Sequence, residues 1–225
     1  TLFPYTTLFR SSMKELVSGA YKQMDFDVSV TGIQGFPGIK GESITDKLIS
    51  KIKENKNVNK DSIQIVRLGF GSANTDTMIV LEGIDSKKYH KLNGFLELDS
   101  NKYREMYKKF DESRDSEIII TDKLKRALNV NVGDKITIDV NDIKKKLKII
   151  GTIDGKVYDN GIFILMKNDV MKKEFNIKEA NEIAFKTTKS PESVKKELKT
   201  VVKNFGATAT TRDSSKSKIL IKIKC

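Results

Sequence analysis

The stretch from Ser116 to Ile153, SEIIITDKLKRALNVNVGDKITIDVNDIKKKLKIIGTI, constrains the fold more than any other part of this chain. It opens on Ile118-Ile119-Ile120, passes through a helix-like Asp122–Asn129, turns at Gly133-Asp134 and closes in two alternating segments. Alternation sets Ile136, Ile138 and Val140 on one face of the first segment. It sets Leu147, Ile149 and Ile153 on one face of the second. The pattern predicts strand, short helix, then a hairpin around Gly133-Asp134. No nucleophile motif, metal cluster or phosphate loop lies inside it.

Two flanking regions share a layout. Asp25–Thr31 alternates, which places Phe26, Val28 and Val30 on one side of a strand. A glycine-rich loop, Gly32 to Gly41, leads to a helix expected to start at Ser43, with Asp46 completing a capping box and Ile44, Leu48 and Ile52 as its buried stripe. A strand over Ile63–Phe70 closes this β-α-β unit. Towards the far end, Glu182–Thr187 is strand-like and Ser190-Pro191 reads as a helix start. Val194, Leu198 and Val201 form that helix's stripe, and Ala207–Thr211 reads as a last short strand. Between the units lie further strand-like segments at Met78–Ile84 and Ile162–Met166. The expected fold is therefore α+β and two-lobed: a split lobe of two β-α-β units with an inserted small β-rich lobe. Its first half is expected at residues 25–75, the insert at 76–175 and the second half at 176–212.

The termini read differently. Residues 1–11 resemble the in-frame translation of a sequencing adapter, so the gene is expected to be cut off at its start. Residues 12–24 carry a loose helical face of Leu16, Val17, Ala20 and Met24. Residues 213–225 form a tail without a fixed reading, a short terminal strand being one option. No apolar run approaches the roughly 18 residues that a membrane helix needs.

A formal charge of +12 raises the question of nucleic acid. The positive residues are overwhelmingly Lys, scattered beside Glu and Asp as on a solvated surface. Arginine, the residue of forked phosphate and base contacts, occurs only at 10, 67, 104, 114, 126 and 212. Nucleic acid is not the expected partner. Cys225 and His90 are the sole cysteine and histidine, which excludes an internal disulfide and the usual zinc sites.

Other constellations favour bland readings. Gly32, Gly35, Gly38 and Gly41 follow G-x-x-G spacing, not that of a dinucleotide or P-loop, so an exposed loop is expected. Asp154–Gly161 lacks the alternating acids and closing Glu of a calcium loop. Asp25 and Asp27 share the polar side of a strand, and Lys144–Lys148 reads as a solvated strand edge. His90 has no partner for a catalytic set. No catalytic, cofactor-binding or metal residue is expected, and no cofactor.

Three motifs in order resemble the extracytoplasmic (MacB-like periplasmic core) domain of FtsX/MacB-type ABC transporter permeases. Asp25-Phe-Asp-Val-Ser-Val30 is similar to that family's Y/F-D-V-x-V start, and Leu81-Glu-Gly-Ile-Asp85 to its GID strand end. Ile118 to Asp134 is similar to its central pattern, with Asn129 where the family has glycine. The resemblance covers about Asp25 to Arg212. It implies a non-catalytic permease segment on the extracytoplasmic face of the cell membrane, with residues 12–24 leading in from a membrane helix. It further implies a cytoplasmic ABC ATPase as partner and a second permease copy. ATP hydrolysis would be coupled to movement outside the membrane, with a lipoprotein, peptide or antibiotic as substrate. The competing reading is a soluble basic module that binds nucleic acid or another polyanion. A third, a hydrolase or transferase, would rest on the Gly32–Gly41 loop.

Overall fold

The computed structural model describes residues 3–32, 44–74, 76–155 and 161–224. The chain begins with α1 (Phe3–Gln23), β1 (Val28–Thr31), α2 (Asp46–Glu54), β2 (Gln64–Ala73) and β3 (Thr77–Ile84). The middle holds α3 (Arg104–Asp111), β4 (Glu117–Thr121), α4 (Asp122–Leu128), β5 (Lys135–Val140), β6 (Ile143–Ile153) and β7 (Phe163–Lys167). It ends with α5 (Asn168–Phe175), β8 (Glu182–Phe185), α6 (Pro191–Asn204), β9 (Thr208–Thr211) and α7 (Arg212–Lys224). Helix and sheet are mixed, as an α+β fold requires.

The strands follow one another in the order β3-β7-β4-β6-β5-β2-β8-β1-β9, and β3 also pairs with β2. The extra pairing closes β2, β3, β7, β4, β6 and β5 into a barrel. Beyond it, β8 lies between β2 and β1, and β1 between β8 and β9, every pair antiparallel. Each β-α-β unit is thus split by a strand of the other. β2 belongs to both parts: Gln64–Val66 pair with β8, and Arg67–Ala73 with β3.

Burial follows from this topology. Ile118 and Ile120 of β4 join Ile136, Ile138, Val140, Leu147 and Ile149 inside the barrel. Ile119, on the other face of β4, packs outside it with Phe110 of α3. Apolar side chains on both faces suit a strand covered on both sides. Under α2 and α6, Val28 and Val30 meet Leu48, Ile52, Val194 and Leu198 in a separate core.

Several local expectations shift by a few residues, each for a physical reason. Ser43 lies outside the described residues; the N-cap of α2 is Thr45, whose hydroxyl accepts from the Leu48 amide at 3.3 Å. Ile44 is buried, but as a bridge partner of Ala180 ahead of the helix. Phe26 precedes β1 and packs on the opposite core from Val28 and Val30. The β5–β6 reversal falls at Asn141-Asp142, both left-handed with φ 53° and 64°, as a two-residue hairpin turn needs. Gly133, at φ 100°, serves the turn before β5, where its amide donates to the Ile149 carbonyl at 2.8 Å. A register shift of β6 against β4 moves Ile153 off the face of Leu147 and Ile149 to the outer core. The tail is helical, not a strand.

Asn129 ends α4 in the left-handed region, with φ 52° and ψ 48°. Asparagine tolerates that conformation and glycine tolerates it better. Asn129→Gly is therefore expected to be neutral or to stabilise by up to about 0.5 kcal/mol, whereas Asn129→Ala costs about 1 kcal/mol. Urea midpoints of the two variants check this; equal midpoints would refute it.

Candidate functional site

α1 and α7 meet at one end of the split sheet. β1 follows α1 and β9 precedes α7, and Val28 pairs with Thr211, so the two helices leave the sheet from adjacent strand ends. They pack along each other. Arg212 joins their roots: its guanidinium donates to the Met24 carbonyl at 2.8 Å, and its amide to the Asp27 carbonyl at 2.9 Å. A cation beside the carboxyl end of α1 also opposes that helix's dipole. The 89–95 segment holds the other side of α1. The Asp25 amide donates to the Lys91 carbonyl at 2.7 Å, and Tyr21 meets Phe95 edge-on at 6.3 Å. Gly94 is required here because a Cβ would sit 2.0 Å from the Ala20 carbonyl oxygen.

Between this helix pair and the sheet lies a cavity of about 330 Å³, lined among others by Tyr21, Phe26, Val66, Phe95, Glu82 and Glu182. Glu82 accepts from the Tyr89 hydroxyl at 2.5 Å, and Asn93 donates to the same hydroxyl at 3.0 Å. Glu182 opens β8, with Ala184 on its side of the strand and Ile183 on the other. Burial pushes the Glu182 carboxyl up to about 7 from 4.5. Burial, and then the Glu182 charge, also raise the Tyr21 hydroxyl above its usual value. Below pH 4.5 both folded and unfolded chains are protonated at Glu182 and no penalty exists. Between 4.5 and 7 only the folded chain keeps the proton, so stability falls as pH rises. Glu182→Gln is expected to flatten that slope and to exceed the parent above pH 7 by on the order of 3 kcal/mol. Urea midpoints across this range test it, and a parallel pair of pH curves would sink it.

The second feature is the junction where β2 passes from sheet to barrel. Arg67, 3 % exposed, donates from Nε to the Lys178 carbonyl at 3.1 Å and from Nη1 to Asn168 Oδ1 at 2.9 Å. Asn168 donates back to the Ile65 carbonyl at 2.6 Å. Asn181 accepts from the Leu68 amide at 2.7 Å, and its own amide donates to the Val66 carbonyl at 2.9 Å. Burial pulls the Arg67 guanidinium down from its usual value, and Asp46 and Asp169 act in the opposite sense. Polar side chains from α5 and from the lead-in to β8 thus pin both halves of one strand.

The residues that drew notice in the sequence go to structural posts. Asp25 pairs with Lys186 at 2.6 Å, and Asp27 accepts from the Thr187 amide at 2.8 Å, so the two bind different groups. His90 lies 3.7 Å from Asp99 and edge-on to Tyr107. Lys144, Lys145 and Lys148 each meet an acid: Asp139, Glu174 and Glu117. Residues 33–41 of the glycine loop, 156–160 of the Asp154–Gly161 loop and Cys225 lie outside the described residues. Arg67, Asn168, Asn181, Glu182 and Arg212 carry the geometry, and sequence reading assigned them no role. One signal was available: Glu182 and Arg67 are charged residues set directly against apolar strand runs.

A family model described as the MacB-like periplasmic core domain matches residues 6–201. Among solved structures, the periplasmic region of MacB from Actinobacillus actinomycetemcomitans superposes with a TM-score of 0.52 at 13 % identity, covering 90 % of this chain and 95 % of that one. The extracellular domain of the noncanonic ABC-type transporter YknZ from Gram-positive bacteria gives 0.50 at 13 % identity, covering 82 % and 99 %. No curated protein sequence matches the chain. No helix among the described residues is long and apolar enough to cross a membrane.

Proposed function

Because this chain belongs to the family of MacB-like periplasmic core domains, we propose that it is the extracytoplasmic domain of an FtsX/MacB-type ABC transporter permease, standing on the outer face of the cell membrane. Its part is mechanical and not catalytic. ATP hydrolysis by a partner ATPase moves the membrane helices of a permease pair, and α1 and α7 carry that movement into the sheet. The observation behind this reading is the helix pair itself, rooted on adjacent strands β1 and β9 and tied by Arg212 to the end of α1. A displacement of one helix against the other is applied at the sheet's end and reaches the barrel along β2. Arg67, Asn168 and Asn181 set how stiffly the barrel follows. Small helix shifts become lobe movements where a few element-terminal residues absorb the change. The substrate class is a lipoprotein, peptide or antibiotic.

The test uses the parent permease reconstituted with its ATPase. Spin labels are placed at Glu15→Cys on α1 and Lys135→Cys on β5, with Cys225 and every other native thiol of the permease replaced by Ser. The label-to-label distance is expected to shift by a few ångströms between nucleotide-free and vanadate-trapped states. An unchanged distance distribution with active ATPase would overturn mechanical coupling through this domain.

A further inference from the structure

The geometry points to a docking edge: the outer side of β9, beside the lysine-bearing face of α6, accepts an extended acidic segment of a partner protein as an added strand. The barrel is closed, so its strands have no free edge. At the other end of the array β9 is last, and among the described residues no strand lies beyond it. Which backbone groups face outward follows from the register. The Gly32 amide bonds to Asn181 on the β8 side, and the Arg212 amide bonds to Asp27 on the β9 side. In an antiparallel ladder the groups of alternate residues point the same way. Ser29 and Thr31 therefore bond Thr210 and Thr208, and Ala209 turns its N–H and C=O groups outward; Thr211, 4 % exposed, is taken up as the cap of α7, its hydroxyl accepting from the Ser214 amide. An edge residue with both backbone groups turned outward can start strand addition.

The adjacent groove selects the partner's chemistry. A cleft of about 390 Å³ runs between α6 and β9, walled by Lys195, Lys196, Lys199, Lys203, Ala207 and Ala209. Lys195 is neutralised by Glu192 at 2.5 Å. Glu197, the other acid of α6, accepts from Asn55 and Asn57. Lys196, Lys199 and Lys203 make no ion pair within 4.0 Å among the described residues and are exposed. A strand laid on β9 sends alternate side chains towards this wall. Acidic residues at alternate positions match it, while the backbone supplies the ladder bonds.

This surface is independent of the permease reading, and its failure leaves the nucleotide-driven distance change untouched. The probe is a fluorescein-labelled peptide of alternating glutamate and valine, followed by anisotropy on the full chain. It is expected to bind, and a lysine-valine peptide is not. Ala209→Pro removes an outward N–H and should weaken binding at least about tenfold while β1 pairing persists. Lys199→Glu with Lys203→Glu should weaken it at least about tenfold and reverse the preference for peptide charge. Should Ala209→Pro disturb the circular dichroism spectrum, the glutamate-valine peptide methylated at alternate amides replaces it and should lose binding to the parent chain. No binding by the parent, or undiminished binding of the methylated peptide, overturns the edge. The second outcome would leave only lysines gathering a polyanion.

Discussion

Gly71→Ala is expected to destabilise this domain by on the order of 3 kcal/mol, more than any other single methyl group added to a strand. An added Cβ would lie 2.1 Å from the Asp139 carbonyl oxygen and 2.7 Å from Val140 Cγ2. The first of these is backbone, and it is held. Ser72 pairs with Asp139 and Ala73 with Ile138; the Asn74 amide donates to the Thr137 carbonyl at 2.9 Å, and Asn74 Oδ1 accepts from the Thr137 amide at 3.0 Å. β5 can retreat only by giving up these bonds, and they close the barrel. Gly69→Ala is the internal control. Its added carbon would meet the side-chain ends of Ile177 and Met171 at 2.7 and 3.3 Å. Such ends rotate away, so its cost should stay near 1 kcal/mol. Urea denaturation followed by circular dichroism compares the pair, and equal losses would show that barrel closure does not depend on this close approach.

Arg67→Met is the other large effect, expected at about 3 kcal/mol. Hydrogen bonds from a charged donor contribute about 1.5–3 kcal/mol each, and two are lost, leaving the Lys178 carbonyl and Asn168 Oδ1 without this donor. Relief from burying the guanidinium returns part of that sum. Arg67→Lys should do little better, because one ammonium cannot reproduce the fork that reaches two acceptors at once. The distinguishing readout is cooperativity. With the junction unpinned, sheet and barrel are expected to melt in separate steps, seen as a lower m-value or a biphasic curve. A single sharp transition near the parent midpoint would refute the role of Arg67 in joining them.

What the sequence disclosed depended on how local the determinant is. The β4–α4–β5–β6 run was legible because its alternation and its short helix pattern are set within a few residues. The hairpin turn was misplaced since Gly133 is the stronger turn residue by type, although Asn141-Asp142 does the reversing. Ile153 was put on the wrong face because a register shift against β4 is a property of two strands and leaves no mark on one. Ile219, Ile221 and Ile223 alternate and so read as a strand, yet packing beside α1 makes the tail a helix. Barrel closure, the Arg67 junction and the Arg212 tie all join residues far apart in the chain. Alternation can say that Arg67 sits in a strand; it cannot say that Asn168 waits opposite.

The splitting of each β-α-β unit also dictates an order of assembly. Every strand of the barrel, β2 to β7, comes from one uninterrupted stretch of chain, so its pairings can form as soon as that stretch is available. β1 cannot be paired until β8 and β9 exist, because Val28 has only Phe185 and Thr211 as partners. During synthesis and export the apolar faces of β1 and α2 stay uncovered for longest, since non-local pairing must await the whole intervening chain. A slow last phase should therefore belong to the sheet that carries α1 and α7, and a chain stalled before it would present a finished barrel with its first strand still searching for neighbours.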